Sequence, residues 1–188
     1  MRHTCEKCGS ALRMTPIENY EPNKKLYAGI RVMLVNNAVQ AAACDTCGTK
    51  KVEIPDPAGL TAAVAVTRAT HRVKLGGSEI KFMRKAMEMP AKEVAKLLDV
   101  SEETISRWEN DHQPIGGANE KMFRYLACKV LADAAPAIQW GIDAIMELEI
   151  AARINGEEVC LAFERTKFKA KPAQPTKPVW AEELQAAA

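Results

Sequence analysis

Aromatic residues make up only 5% of this 188-residue chain while hydrophobic residues make up 47%, so any core must be built from aliphatic side chains and alanine. Long apolar runs are missing as well. The most apolar stretch, residues 57–67, is too short for a helical membrane span, and no membrane association is expected. The opening residues Met1-Arg2-His3-Thr4-Cys5 lack the apolar segment of a secretory leader, which points to a cytoplasmic protein with reduced thiols. Histidine is scarce, and no Ser/His/Asp set, phosphate-binding loop or open metal site can be recognised, so no catalytic residue and no enzymatic activity are expected. Charge of one sign is not in excess overall, the net value being +2.

Divided along the chain, the charge becomes informative. Residues 1–56 carry 8 Lys/Arg and 6 Asp/Glu, residues 68–131 carry 12 and 9, and residues 132–164 carry 1 and 7. Between Arg68 and Lys85 six basic residues face the single Glu79, a local excess suited to a neighbouring phosphate backbone, whereas the acidic block should face away from one. Length and pattern suggest two small domains, mainly α with a small β module: residues 1–56, a linker helix over 57–77, a helical domain over 78–131, a helix and strand over 132–168 that are candidates for dimerisation, and a disordered tail over 169–188.

What is present in strength is a repeated cysteine device. Cys5-Glu6-Lys7-Cys8-Gly9 and Cys44-Asp45-Thr46-Cys47-Gly48 are two C-x-x-C-G turns separated by the 35 residues between Cys8 and Cys44, enough for a small sheet. Each turn offers two thiolates on one side, and together they make a tetrahedral four-cysteine cage, a zinc ribbon. One structural zinc ion per chain is the expected occupant, with Cys5, Cys8, Cys44 and Cys47 as its ligands; spacing alone leaves thiolate-bound iron, and with it a redox protein, open. His3 is not needed in a complete set of four.

The second half has the punctuation of short helices. Leu60, Val64, Thr67 and His71 recur at helical spacing before Gly76-Gly77, predicting a rigid spacer over residues 58–75. Ser78 is placed to cap a helix carrying Ile80, Phe82, Met83 and Met87, and Pro90 to open the next at its first position, with Val94, Ala95, Leu97 and Leu98 on its buried face. Ser101 is placed to cap a third helix, whose early Glu102 and Glu103 complement its dipole. On this third helix Ile105 and Trp108 form the apolar face, so Glu102, Glu103, Thr104, Ser106 and Arg107 point outward.

Residues 90–110, with Ala95, Val100, Ile105 and Trp108 at the apolar positions and Glu109-Asn110 at the end, resemble the helix-turn-helix of phage-repressor-like (XRE-type) regulators. Such a five-helix domain behind a four-cysteine ribbon is similar to the MqsA (YgiT-type zinc finger) antitoxin family over about residues 1–130. The resemblance implies a dimeric, autorepressing transcription regulator that binds a palindromic operator in double-stranded DNA through a recognition helix in the major groove. It puts base-reading positions on Glu102, Glu103 and Arg107, of which Arg107 has the best chemistry, since a guanidinium donates two parallel hydrogen bonds to guanine. Phosphate contacts are then sought at Lys81, Lys85, Lys92, Ser101, Thr104, His112 and Gln113, and a structural ion pair at Arg84 and Glu109. The same resemblance implies, as an alternative, an antitoxin that neutralises a ribonuclease toxin through its zinc module. Ala91 departs from the family, which often has a phosphate-gripping glutamine there.

Beyond residue 131 the resemblance ends. Ala137–Ala152 reads as one helix with a broad apolar surface, making Trp140, Ile142, Ile145 and Ile150 candidates for a homodimer interface or for plain core. Val159–Phe163 reads as a strand in need of a partner, and Cys128 and Cys160 as buried hydrophobes.

Overall fold

A computed structural model describes residues 4–154, 158–168 and 176–183 of the protein. His3, residues 169–175 and residues 184–188 lie outside them, so the reading of His3 and much of the expected disordered tail falls there.

Two three-stranded sheets and six helices make up the described fold. The first sheet has the order β1 (Arg13–Ile17), β3 (Val39–Ala43), β4 (Lys50–Glu53). It is antiparallel throughout, with Arg13 opposite Ala43, Ile17 opposite Val39, and Ala43 opposite Lys50. This sheet carries the cysteine turns and is the ribbon. The second sheet joins chain segments from opposite ends: β2 (Arg31–Leu34) pairs in parallel with β5 (Cys160–Phe168), and β5 pairs antiparallel with β6 (Lys177–Glu182). Residues 1–56 are therefore not self-contained, because β2 leaves the ribbon to build a sheet with the C-terminal extension.

The strand expected at Val159–Phe163 has its partners in β2 and β6. Cys160, the first residue of β5, is exposed instead of buried, whereas Cys128 is fully buried. Within the tail expected to be disordered, Lys177–Glu182 is instead a strand, held by its pairing from Phe163–Glu182 to Phe168–Lys177 and by the buried Trp180. The Trp180 indole Nε1 donates to the carbonyls of Pro55 and Asp56, at 3.1 and 3.0 Å, and Arg165 stacks over its ring at 4.9 Å. These contacts clamp the last described strand onto the start of the first helix.

That helix, α1 (Pro57–Thr70), is the centre of the molecule and not a spacer. Asp56 opens it from a left-handed backbone (φ 48°), its carboxylate accepting from Gly59 N at 3.0 Å. Leu60, Ala62, Ala63, Val64, Ala65, Val66 and Ala69 are all buried, so the helix is apolar around nearly its whole circumference and is enclosed on several sides. It packs on β5, β6 and the helices α2 (Gly77–Ala86) and α5 (Gly117–Leu131). It ends at Thr70, earlier than residue 75, because residues 71–76 turn back as a bridge to α2.

Four helices, α2, α3 (Ala91–Leu97), α4 (Glu102–Glu109) and α5, follow in the 78–131 region, and α1 supplies the fifth. The α2 cap is Gly76 and not Ser78, whose hydroxyl donates to Ala28 O instead. Pro90 is the N-cap of α3, one residue ahead of the first helical position. A single long helix over 137–152 does not form: only α6 (Ile142–Met146) is helical. The backbone of this segment is committed elsewhere. Gly141 is extended, and Ala151 forms an isolated parallel bridge with Val73 through Lys74 N→Ala151 O and Ala151 N→Arg72 O, both 2.9 Å.

Candidate nucleic-acid interface and metal centre

The two cysteine turns are built alike. In the first, Gly9 N donates to Cys5 O and Cys5 N to Ser10 O, both 2.8 Å; in the second, Gly48 N donates to Cys44 O and Cys44 N to Thr49 O, both 2.9 Å. Gly9 (φ 72°) and Gly48 (φ 70°) occupy the left-handed region that closes each turn, at little cost only for glycine. The four Sγ atoms all lie within 4.8 Å of one another, with Cys5–Cys47 at 3.5 Å and Cys8–Cys44 at 3.4 Å. A tetrahedral site with ~2.3 Å metal–sulfur bonds sets its sulfurs about 3.8 Å apart, so the donor set fits a thiolate-bound metal ion with small adjustment.

The surroundings supply part of the charge balance. Backbone N–H groups of Lys7 and Cys8 lower the Cys5 thiol from its ordinary value, the Ser10 hydroxyl and N–H lower Cys8, and the Thr49 hydroxyl and N–H lower Cys47. Cys44 receives the Cys47 amide, which lowers it, yet burial and the neighbouring Cys8 sulfur prevail and push it up to about 11. Four sulfurs this close do not all carry charge without a cation among them.

The helical unit presents a different kind of surface. Ser101 caps α4, its Oγ accepting from Thr104 N at 3.1 Å and pairing with the Thr104 hydroxyl at 2.8 Å. Asp99 (φ 53°) makes the turn from α3, and Val100 N donates to Ala95 O at 3.0 Å. Val94, Ala95, Leu98, Ile105 and Trp108 are buried together with Ile80 and Met83 of α2, which fixes one face of α4 inward. Glu102, Glu103, Ser106 and Arg107 are consequently exposed on the other. Arg107 Nη2 donates to Glu103 Oε1 at 2.7 Å across one turn.

Around this helix Lys81 and Lys85 on α2, Lys92 on α3, Ser101, and His112 and Gln113 beyond α4 are exposed, and Thr104 is half-buried. Arg84 reaches from α2 to Glu109 at the end of α4, with Nη2 at 3.1 Å from Oε2, and also donates to Met89 O at 2.9 Å. Glu109 raises the Arg84 pKa, chiefly through that hydrogen bond. Gly77 permits the close crossing of the same two helices: a Cβ there would lie 2.4 Å from Trp108 O and 2.8 Å from Glu109 O. Asp111 reinforces the crossing by accepting from Gly77 N at 2.7 Å.

The basic excess between Arg68 and Lys85 is smaller on the surface than in the sequence. Arg68 is 0% exposed and belongs to an internal network. It donates to both oxygens of Glu79, at 2.8 and 2.9 Å, and to the carbonyls of Val73 and Lys74. Arg153 and Gly76 N add to Glu79 at 2.7 and 2.8 Å. Alongside, Arg124 on α5 pairs with Glu120 at 2.7 Å and donates to the carbonyls of Ala69, His71 and Val73, while Glu120 accepts from Leu75 N. The network thereby satisfies the α1 C-terminus and the 71–76 bridge, where backbone groups would otherwise be buried without partners. Sequence reading missed it, although Glu120 and Arg124 at i, i+4 among Phe123, Ala127 and Cys128 was the available signal.

The dimer candidates are divided. Ile145 is buried in the core, Trp140 packs edge-on against Tyr125 with ring centroids 6.1 Å apart, Ile150 is half-buried, and Ile142 is exposed.

Comparison with known families places a helix-turn-helix match over residues 80–119, the segment from α2 to the start of α5. This match and the buried contacts above agree on an XRE-type helix-turn-helix domain within these residues, which supports a DNA-binding regulator, and the four-cysteine cluster is the chain's second feature. Neither the curated proteins nor the solved structures gave a significant match to the chain. Among the described residues no helix is long and apolar enough to cross a membrane.

Proposed function

We propose that the protein is a sequence-specific transcription regulator that binds a palindromic operator as a homodimer and represses its own gene. The observation that carries this reading is the outer face of α4, where Arg107 stands exposed on a helix whose opposite face is locked into the core by Ile105 and Trp108. Entry of the N-terminal half of α4 into the major groove brings Arg107 within reach of base edges, and the exposed Lys81, Lys85, Lys92, His112 and Gln113 supply contacts to the flanking phosphates.

In this reading the four cysteines hold one zinc ion. All four protein sulfurs are committed to it, which leaves no position for water or substrate and makes the metal a staple for the ribbon. Direct footprinting of the DNA upstream of the gene tests the proposal. The protein protects two half-sites on one face of the duplex, about 34 Å apart centre to centre. Arg107→Ala, matched for folding, loses preference for a guanine within each half-site, a change on the order of 1–3 kcal/mol. Equal protection by that variant would remove Arg107 from the reading role.

A further inference from the structure

We infer that Glu103 is a positioning residue for Arg107, holding its guanidinium toward guanine, and not a base reader in its own right. The inference rests on the proposed DNA-binding role of α4 and assigns a division of labour within it. Glu103 and Arg107 lie one turn apart on the exposed face, with the carboxylate on the N-terminal side, the favourable orientation for such a pair. Oε1 accepts a single hydrogen bond from Nη2, at 2.7 Å. A guanidinium has five N–H donors in a fixed fork, so this one contact still leaves a two-donor edge free to meet guanine O6 and N7.

The chemistry of the alternatives is poorer. A carboxylate reads DNA by accepting from cytosine N4, and here the Glu103 oxygen nearest Arg107 is already engaged. Charge gives a second consequence. With the Glu103 carboxylate paired to it, Arg107 is partly neutralised toward the phosphates, so the cation gains little from arbitrary sequence and gains most where guanine supplies two acceptors. Glu103 therefore sharpens specificity by steering the arginine and by weakening non-specific attraction. Long arginine side chains sample many rotamers in water, and the partner across one turn restricts that sampling before contact with DNA.

Selection from a randomised duplex library by the full-length, metal-loaded protein and its variants tests this. The wild-type protein enriches a motif whose Arg107-dependent guanine is identified by its loss in Arg107→Ala. Glu103→Ala should lose most of the preference at that same guanine and leave the other positions unchanged, and Glu103→Gln, which keeps an acceptor, should restore part of it. In the Arg107→Ala background, Glu103→Ala should have no further effect at that position. Loss of preference at a different base pair, persisting without Arg107, would make Glu103 a reader and overturn the inference. A uniform rise in affinity for all duplexes, with the guanine preference intact, would reduce Glu103 to a repulsive charge and equally overturn it. Failure of the wild-type protein to enrich any motif removes the DNA-binding reading itself, and the inference with it. Circular dichroism and thermal melting of each variant confirm that α4 is folded in every comparison.

Discussion

The ribbon tip and the helical body of this protein are fixed by opposite means. At the tip, Cys5, Ala42 and Cys44 are among the few buried apolar side chains, and β4 exposes the consecutive Lys50, Lys51 and Val52. The body encloses α1, the inner faces of α2 to α5 and the β2–β5–β6 sheet in one continuous apolar cluster. A segment with so little to bury needs another source of stability, and four sulfurs gathered around one point provide it. Under the proposed function a metal substitutes for core in one region, while in the other a charged network fastens what the core already holds. Arg107, the proposed base reader, belongs to the body, and the cysteines belong to the tip.

The largest effect that tests this contrast is removal of the metal. Cys44→Ser or chelation should withdraw a binding energy on the order of 10 kcal/mol from the tip. Amide hydrogen exchange should then show residues 4–17 and 40–53 losing protection, while α1 to α5 and β2 keep theirs. Simultaneous loss of protection in α4 would break the distinction.

Next come the fastenings of the body. Glu79→Gln leaves Arg68 buried without its counter-charge and should cost about 3–5 kcal/mol in denaturant unfolding. Burial by itself raises the Glu79 carboxyl, but hydrogen bonds and charge from Arg68, together with Arg153 and Gly76 N, outweigh it and hold the pKa below the ordinary glutamate range. A depressed native pKa means that this contribution is complete above the unfolded value and is lost as pH falls through the native one. The wild-type protein should therefore lose stability on acidification below the ordinary glutamate range, and Glu79→Gln should show a shallower loss over that window. Parallel acid curves for the two proteins would deny Glu79 its role.

Trp180→Ala should destabilise by a similar amount, about 3–5 kcal/mol, because it empties a buried site and removes the donor shared by Pro55 and Asp56 carbonyls. Its loss of exchange protection should spread from β6 to β5 and the α1 N-terminus but not to α3 or α4. A smaller effect, about 1–3 kcal/mol, is expected for Gly77→Ala, whose methyl meets backbone carbonyls that cannot swing away. Its signature is a lowered thermal midpoint with the metal site unaffected.

How much of this was legible in the sequence depends on the range of the interaction concerned. The cysteine turns repeat a local pattern, and Ser101 with the Val94, Ala95, Ile105 and Trp108 periodicity marks the helix-turn-helix within a few residues of itself. Both are visible without knowing the rest of the chain. The parallel pairing of Arg31–Leu34 with Cys160–Phe163 leaves no local trace, because neither strand names its partner. Trp180 sits in a segment whose lysines and prolines read as disorder, and its burial depends on the distant Pro55–Asp56 turn. The helix expected over 137–152 failed for the same reason: its apolar residues serve several destinations, and Ala151 is committed to pairing with residues 72–74. Arg68 counts in the sequence toward a basic excess suited to phosphate, since a sequence records charge but not the carboxylate and carbonyls that enclose it.

The most direct measurement is the affinity of a library-selected duplex for metal-loaded and metal-stripped protein, with amide exchange recorded on both. The predicted result is loss of protection at the cysteine turns, retained protection through α2 to α5, and a duplex affinity that falls much less than it does in Arg107→Ala. An affinity loss as large as that of Arg107→Ala, with α4 still protected, would contradict the separation of metal staple from DNA-reading helix.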